Sequence, residues 1–145
     1  MSERNFRHLL QKQWDKGHFV CVGLDSDFEK IPKSYHRPGN ERDMGVANTI
    51  VAFNLAIVEQ TCDLVCAYKP NIAFYEAHGD EGLQALWRTI AEIHFLAPDV
   101  PVILDAKRGD IGNSNKGYVT GSFNWLQADA VTISPYLGQE ALQPF

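Results

Sequence analysis

Positive charge is in short supply: 13 lysines and arginines face 18 acidic residues in 145, a formal net charge of −5, and the acidic residues are dispersed. Nucleic acids and acidic membranes reward basic patches, so neither is expected as the main partner. No run is long or apolar enough to span a bilayer, and the polar start Met1-Ser2-Glu3-Arg4-Asn5 lacks the pattern of a signal peptide. Cysteine is scarce too. Cys21, Cys62 and Cys66 are odd in number and show no C-x-x-C spacing, which argues against a disulfide framework or a structural zinc site. Cys21 and Cys66 lie in apolar runs and read as small buried residues. The histidines (His8, His18, His36, His78, His94) show no H-E-x-x-H or related spacing, so a metal site is not expected, and neither Gly23 nor Gly109 belongs to a G-x-G-x-x-G phosphate loop. These absences together describe a soluble, cytoplasmic protein.

What is present is enough apolar material for a core, 45% of residues, in a chain the length of one domain spanning 1–145. Phe6, Leu9, Leu10 and Trp14 recur at helical spacing between a possible Ser2 cap and a stop at Gly17. The apolar run from Phe19 to Leu24 then suits a strand covered on both faces. Ser26 to about Gly45, holding Pro32, Pro38 and Gly39, reads as a long loop. A helix from about Asn48 to Thr61 presents Ile50, Phe53, Ile57 and Val58 on one side, and Leu64 to Tyr68 forms a second strand. Asp80 is placed to cap a helix with Leu83, Leu86, Trp87, Ile90 and Ile93 inward, closed by Pro98. A third strand runs from Val100 to Leu104, a helix from about Ser114 to Leu126, a fourth strand from Ala130 to Ile133, and a last helical start follows Ser134-Pro135. Trp14, Trp87 and Trp125 fit the buried sides of their helices. Four alternations of strand and helix predict an α/β fold with parallel strands.

The first three of these strands end on charges: Asp25, Lys69 and Asp105. Carboxyl ends of parallel strands gather at one rim, where barrels and open sheets alike place their sites. Lys107 and Asp110 stand just beyond. Residues two apart in a strand share a face, so Asp105 and Lys107 are expected to look the same way, while Asp110 follows the freely turning Gly109. Lysine flanked by carboxylates keeps its proton, because opposite charge favours the ammonium. Held rigidly against a substrate carbon, such an ammonium can supply a proton where negative charge develops. The plainer alternative is a surface salt-bridge cluster of little energetic value. Glu76 and Asn71 stand near the same rim; Arg37 and Arg108 carry no assignment.

Four segments occur in order: Gly23-Leu24-Asp25, Tyr68-Lys69-Pro70-Asn71, the run from Asp105 through Lys107 and Asp110-Ile111 to Asn113, and the run from Val131 to Gly138. Together they resemble orotidine 5′-phosphate decarboxylases, in particular the second bacterial type, along almost the whole chain. The resemblance implies a (β/α)₈ barrel that dimerises and converts orotidine 5′-monophosphate to UMP without metal or organic cofactor. It makes Lys107 the proton donor to C6 of the pyrimidine and sets Asp105 near the departing carboxylate. By the same resemblance Asp110 reaches into the partner subunit's site, completing a Lys69–Asp105–Lys107–Asp110 network. Asp25 and Lys69 would bind the ribose hydroxyls, helped by the segment around Ile111 and Ser114, the latter standing where many relatives have threonine.

A barrel of this type takes eight strands and typically about 250 residues. With four strands, this chain is expected to be the N-terminal half, broken off inside a helix at Gln143-Pro144-Phe145, with open sheet edges and little or no activity alone. Two rivals share the layout. A magnesium-dependent sugar-phosphate decarboxylase or aldolase would need added metal, and a non-catalytic half-barrel would associate without binding a UMP analogue.

Overall fold

The computed structural model describes residues 4–37 and 45–145. The expected cap at Ser2 and the loop residues Pro38 and Gly39 lie outside them. The first helix, α1 (Phe6–Asp15), is instead capped by Asn5, whose side chain accepts the N–H of His8. Strands β1 (Val20–Leu24), β2 (Val65–Pro70), β3 (Ile103–Arg108) and β4 (Ala130–Ile133) follow, separated by α2 (Gly45–Thr61), the short α3 (Ala73–Glu76), α4 (Gly79–Leu96) and α5 (Gly112–Val119). Helix α5 widens into a π-helical stretch over Thr120–Trp125, and the short α6 (Gln139–Leu142) comes last.

The strands run parallel in the order of the chain. β1 pairs with β2 and β3 with β4, while single bridges at Tyr68–Val102 and Asn71–Asp105 join β2 to β3. A parallel pair needs a crossover, and α2 and α4 supply two of them. Their buried faces (Ile50 and Val58 from α2; Leu86, Ile90 and Ile93 from α4) meet Val65, Tyr68, Val102 and Leu104 of the strands in one core. Each such side chain contributes roughly 1.5–3 kcal/mol by leaving water.

Several expectations are corrected. β2 and β3 each run further at the carboxyl end than predicted, so Lys69, Asp105 and Lys107 lie within the strands. The reason is that pairing with a neighbour, not apolar content, decides where a strand ends. Helix α4 starts at Gly79, and Asp80 sits in its first turn instead of capping it. Trp14, Trp87 and Trp125 are each more than two-fifths exposed, because the helix faces they occupy lie at the margin of the core. Cys21 is exposed while Cys66 is buried. β1 is covered on one face only: Leu24 is buried, while Cys21 and Gly23, which alternate to the other face, are exposed.

Candidate active site

The candidate site stands on the carboxyl ends of β2 and β3. Asp105 is the hinge of it. Its carbonyl accepts the N–H of Ile72 at 3.1 Å, fixing the residue to the segment after β2. Its carboxylate, largely buried, is shared by two lysines: Lys107 Nζ lies 2.7 Å from Oδ1 and Lys69 Nζ lies 2.9 Å from Oδ2. Lys107, then Lys69, then the Thr132 hydroxyl hold the Asp105 carboxyl well below the usual carboxylate range. In return the Asp105 hydrogen bond raises Lys69 above its ordinary value, with the charge of Asp25 adding to the effect. Lys107 reaches its partner from a side chain that is 65% exposed, so the ammonium faces the open rim.

The local backbone explains this placement. Between the paired positions Leu104–Val131 and Arg108–Ile133, β3 has three residues and β4 has one. The strand is bulged there, and Lys107 takes a left-handed conformation with φ +49°. Thr132 fills the gap: its Oγ1 accepts the N–H of Ala106 at 3.1 Å and of Lys107 at 3.0 Å, and donates to Asp105 Oδ1 at 2.8 Å. Gly109 closes the bulge with φ +124°, where a Cβ would stand 2.7 Å from the Ser134 carbonyl oxygen. No side chain fits that approach.

Among the remaining predicted residues, Asp25 is exposed one position past β1, close enough for its charge to act on Lys69. Asp110 stands two residues past the end of β3. Its Oδ1 accepts the N–H of Ile111 at 2.7 Å, and among the described residues no ion pair joins it to Lys107. Ile111 and Ser114 are both exposed at the start of α5 and take no part in the Asp105 cluster. The Asn71 side chain accepts the N–H of Ala73, the first residue of α3, at 3.2 Å. Glu76 pairs with Arg108 at 3.0 Å, and that guanidinium stacks over Tyr118.

Sequence reasoning missed the residues that hold these positions. Asn115, buried, accepts the Asp110 N–H at 2.8 Å and donates to the carbonyls of Asp110 and Ala141, pinning the loop to α6. Behind Asp25, the buried Asn54 donates to Tyr75 Oη and Thr89 Oγ1, both at 3.0 Å, and accepts from Ser26; Tyr75 in turn donates to the Leu24 carbonyl. A polar residue inside an apolar helix pattern was the available signal for Asn54. Nothing in the spacing pointed to Thr132.

Residues 19–145 match the model of the orotidine 5′-phosphate decarboxylase / HUMPS family. A curated orotidine 5′-phosphate decarboxylase of Herpetosiphon aurantiacus is 52% identical over 126 residues, 87% of this chain and 43% of the relative. One of Parabacteroides distasonis is 43% identical over 141 residues, covering 97% and 48% respectively. The solved OMP decarboxylase of Leishmania donovani superposes with a TM-score of 0.79 at 38% identity, over 98% of this chain and 49% of that one. The chain spans about half the length of the relatives it matches.

Proposed function

The chain belongs to the orotidine 5′-phosphate decarboxylase / HUMPS family, and from that premise we propose that the complete protein converts orotidine 5′-monophosphate to UMP and CO₂. The observation that carries the proposal is the Asp105 carboxylate held between Lys69 and Lys107, with the Lys107 ammonium at the open rim. The C6–carboxylate bond breaks, CO₂ leaves, and the electron pair remains on C6. Lys107 stabilises that charge because its cation is fixed where the charge appears, then delivers its proton to C6 and regains one from water. Asp105 holds both ammoniums and stands beside the departing carboxylate. Repulsion between the two carboxylates is a secondary contribution.

Asp25 and Lys69 bind the ribose hydroxyls, helped by the segment around Ile111 and Ser114. Among the described residues the Asp110 carboxylate pairs with no cation and accepts the neighbouring Ile111 N–H, which supports a role in the site of a second subunit and hence a homodimer. The reaction belongs to pyrimidine nucleotide synthesis, and the cytoplasm is the proposed location. No described helix is long and apolar enough to cross a membrane.

A magnesium-dependent sugar-phosphate lyase is the less favoured reading, since the relatives named above are orotidine 5′-phosphate decarboxylases. Incubating the complete protein with orotidine 5′-monophosphate in EDTA separates the two. UMP formation undiminished by chelation is expected; activity that appears only with added magnesium would overturn the proposal.

A further inference from the structure

Thr132 carries no charge and lies on β4, outside the strands that supply the lysines and Asp105. We infer that Thr132 is the positioning residue of the site, its hydroxyl setting Lys107 through the backbone and Asp105 through the carboxylate. This rests on the decarboxylase reading for its kinetic consequence, though not for its structural one.

The hydroxyl has one hydrogen and two lone pairs, and all three are used. The hydrogen goes to Asp105 Oδ1; the lone pairs receive the N–H groups of Ala106 and Lys107. Those two N–H groups belong to the stretch where three residues of β3 face one of β4, so the strand ladder offers them no carbonyl. Ala106 is buried, where an unpaired N–H is costly. The threonine oxygen thus stands in for a missing backbone acceptor. By doing so it holds Lys107 in a left-handed conformation that a lysine seldom adopts unaided. The same atom fixes the oxygen of Asp105 that the Lys107 ammonium meets at 2.7 Å. Backbone and side chain of the lysine are therefore both referred to one hydroxyl on the neighbouring strand.

Valine keeps the shape and β-branching of threonine and removes only the hydroxyl; serine keeps the hydroxyl. In the complete protein, Thr132→Val is expected to lower kcat about ten- to a hundredfold, in line with a misplaced catalytic group, with KM changed less than about threefold. Thr132→Ser is expected to restore kcat to within about threefold of wild type. Carbon-13 NMR of the Asp105 carboxyl should show titration at higher pH in Thr132→Val and at the wild-type position in Thr132→Ser. Unchanged kcat and titration in Thr132→Val, a rise in KM alone, or failure of serine to rescue would each overturn the inference. Should the valine variant not fold, amide exchange in the wild type decides: slow exchange at Ala106 and Lys107 supports the assignment, and fast exchange in the folded protein refutes it. A wild type that does not decarboxylate would instead refute the functional reading, leaving titration and exchange to judge Thr132.

Discussion

Lys107 Nζ lies 2.7 Å from Asp105 Oδ1, two residues earlier, although the backbone at Lys107 has left the extended region. A flat strand would bring the two side chains to one face by alternation alone. Here a bulge does it, and the lysine remains at the rim while its counter-ion stays mostly buried. Lys69 occupies the other oxygen of the same carboxylate. Asp105 is thus the counter-ion of two cations, and its protonation would release both.

That arrangement fixes an acid-range prediction. An ordinary aspartate titrates near pH ~3.9, and Lys107, Lys69 and Thr132 hold Asp105 below that. Its contribution to stability is therefore present above about pH 4 and lost only as pH falls through the depressed value. Carbon-13 NMR should find the Asp105 carboxyl flat from about pH 4.5 to 8. An inflection in that window would contradict the double ion pair.

The Gly109 position offers a steric test. With φ +124° and a Cβ placed 2.7 Å from the Ser134 oxygen, Gly109→Ala must push β3 and β4 apart. A loss of roughly 1–3 kcal/mol in urea unfolding is expected, together with slower UMP formation, because the bulge carries Lys107. Wild-type stability and turnover would show that the two strands have slack there.

Asn54 tests the support behind Asp25. Removing its amide leaves Ser26 and Thr89 without the partner each now has in a buried setting. Asn54→Ala should lower stability by at least about 2 kcal/mol, from groups left unsatisfied, and raise KM as Asp25 loses its footing. Unfolding at the wild-type urea midpoint would mean the network is replaceable by water.

Asp129 anchors the opposite end of the strands. Burial pushes its carboxyl up, but the nearby His94 imidazole, the Arg4 guanidinium and the Val102 N–H outweigh this and bring it to about 2. Arg4 Nε approaches Oδ1 at 2.7 Å and His94 Nε2 approaches Oδ2 at 3.5 Å. The sign follows: a depressed carboxylate stabilises above the ordinary aspartate value and stops doing so as pH falls through about 2. The stability gap between wild type and Asp129→Asn should be constant above about pH 4 and narrow below it. A gap that widens with acid would reverse the assignment.

The alternation of apolar runs made the α/β class and its parallel strands legible, since each run had to be buried by a neighbour. The charges at strand ends marked the rim, and Asp105 with Lys107 did come together. What the sequence hid was how. Thr132 looks like any β-branched strand residue, and its hydroxyl matters only because two residues of β3 bulge out opposite it. Nor did spacing show that the Asp110 loop is tied by Asn115, which accepts the Asp110 N–H from inside α5. The tryptophans were expected inside because helical spacing reports a face, not how far the core extends beneath it.

The central claim is that Lys107 delivers the proton to C6, and turnover of orotidine 5′-monophosphate by the complete protein carrying Lys107→Ala tests it most directly. UMP formation should fall by about 10²–10⁴-fold or more, the range for loss of a positioned general acid, while a UMP analogue still binds within about tenfold of wild type. Turnover at the wild-type rate would contradict the account.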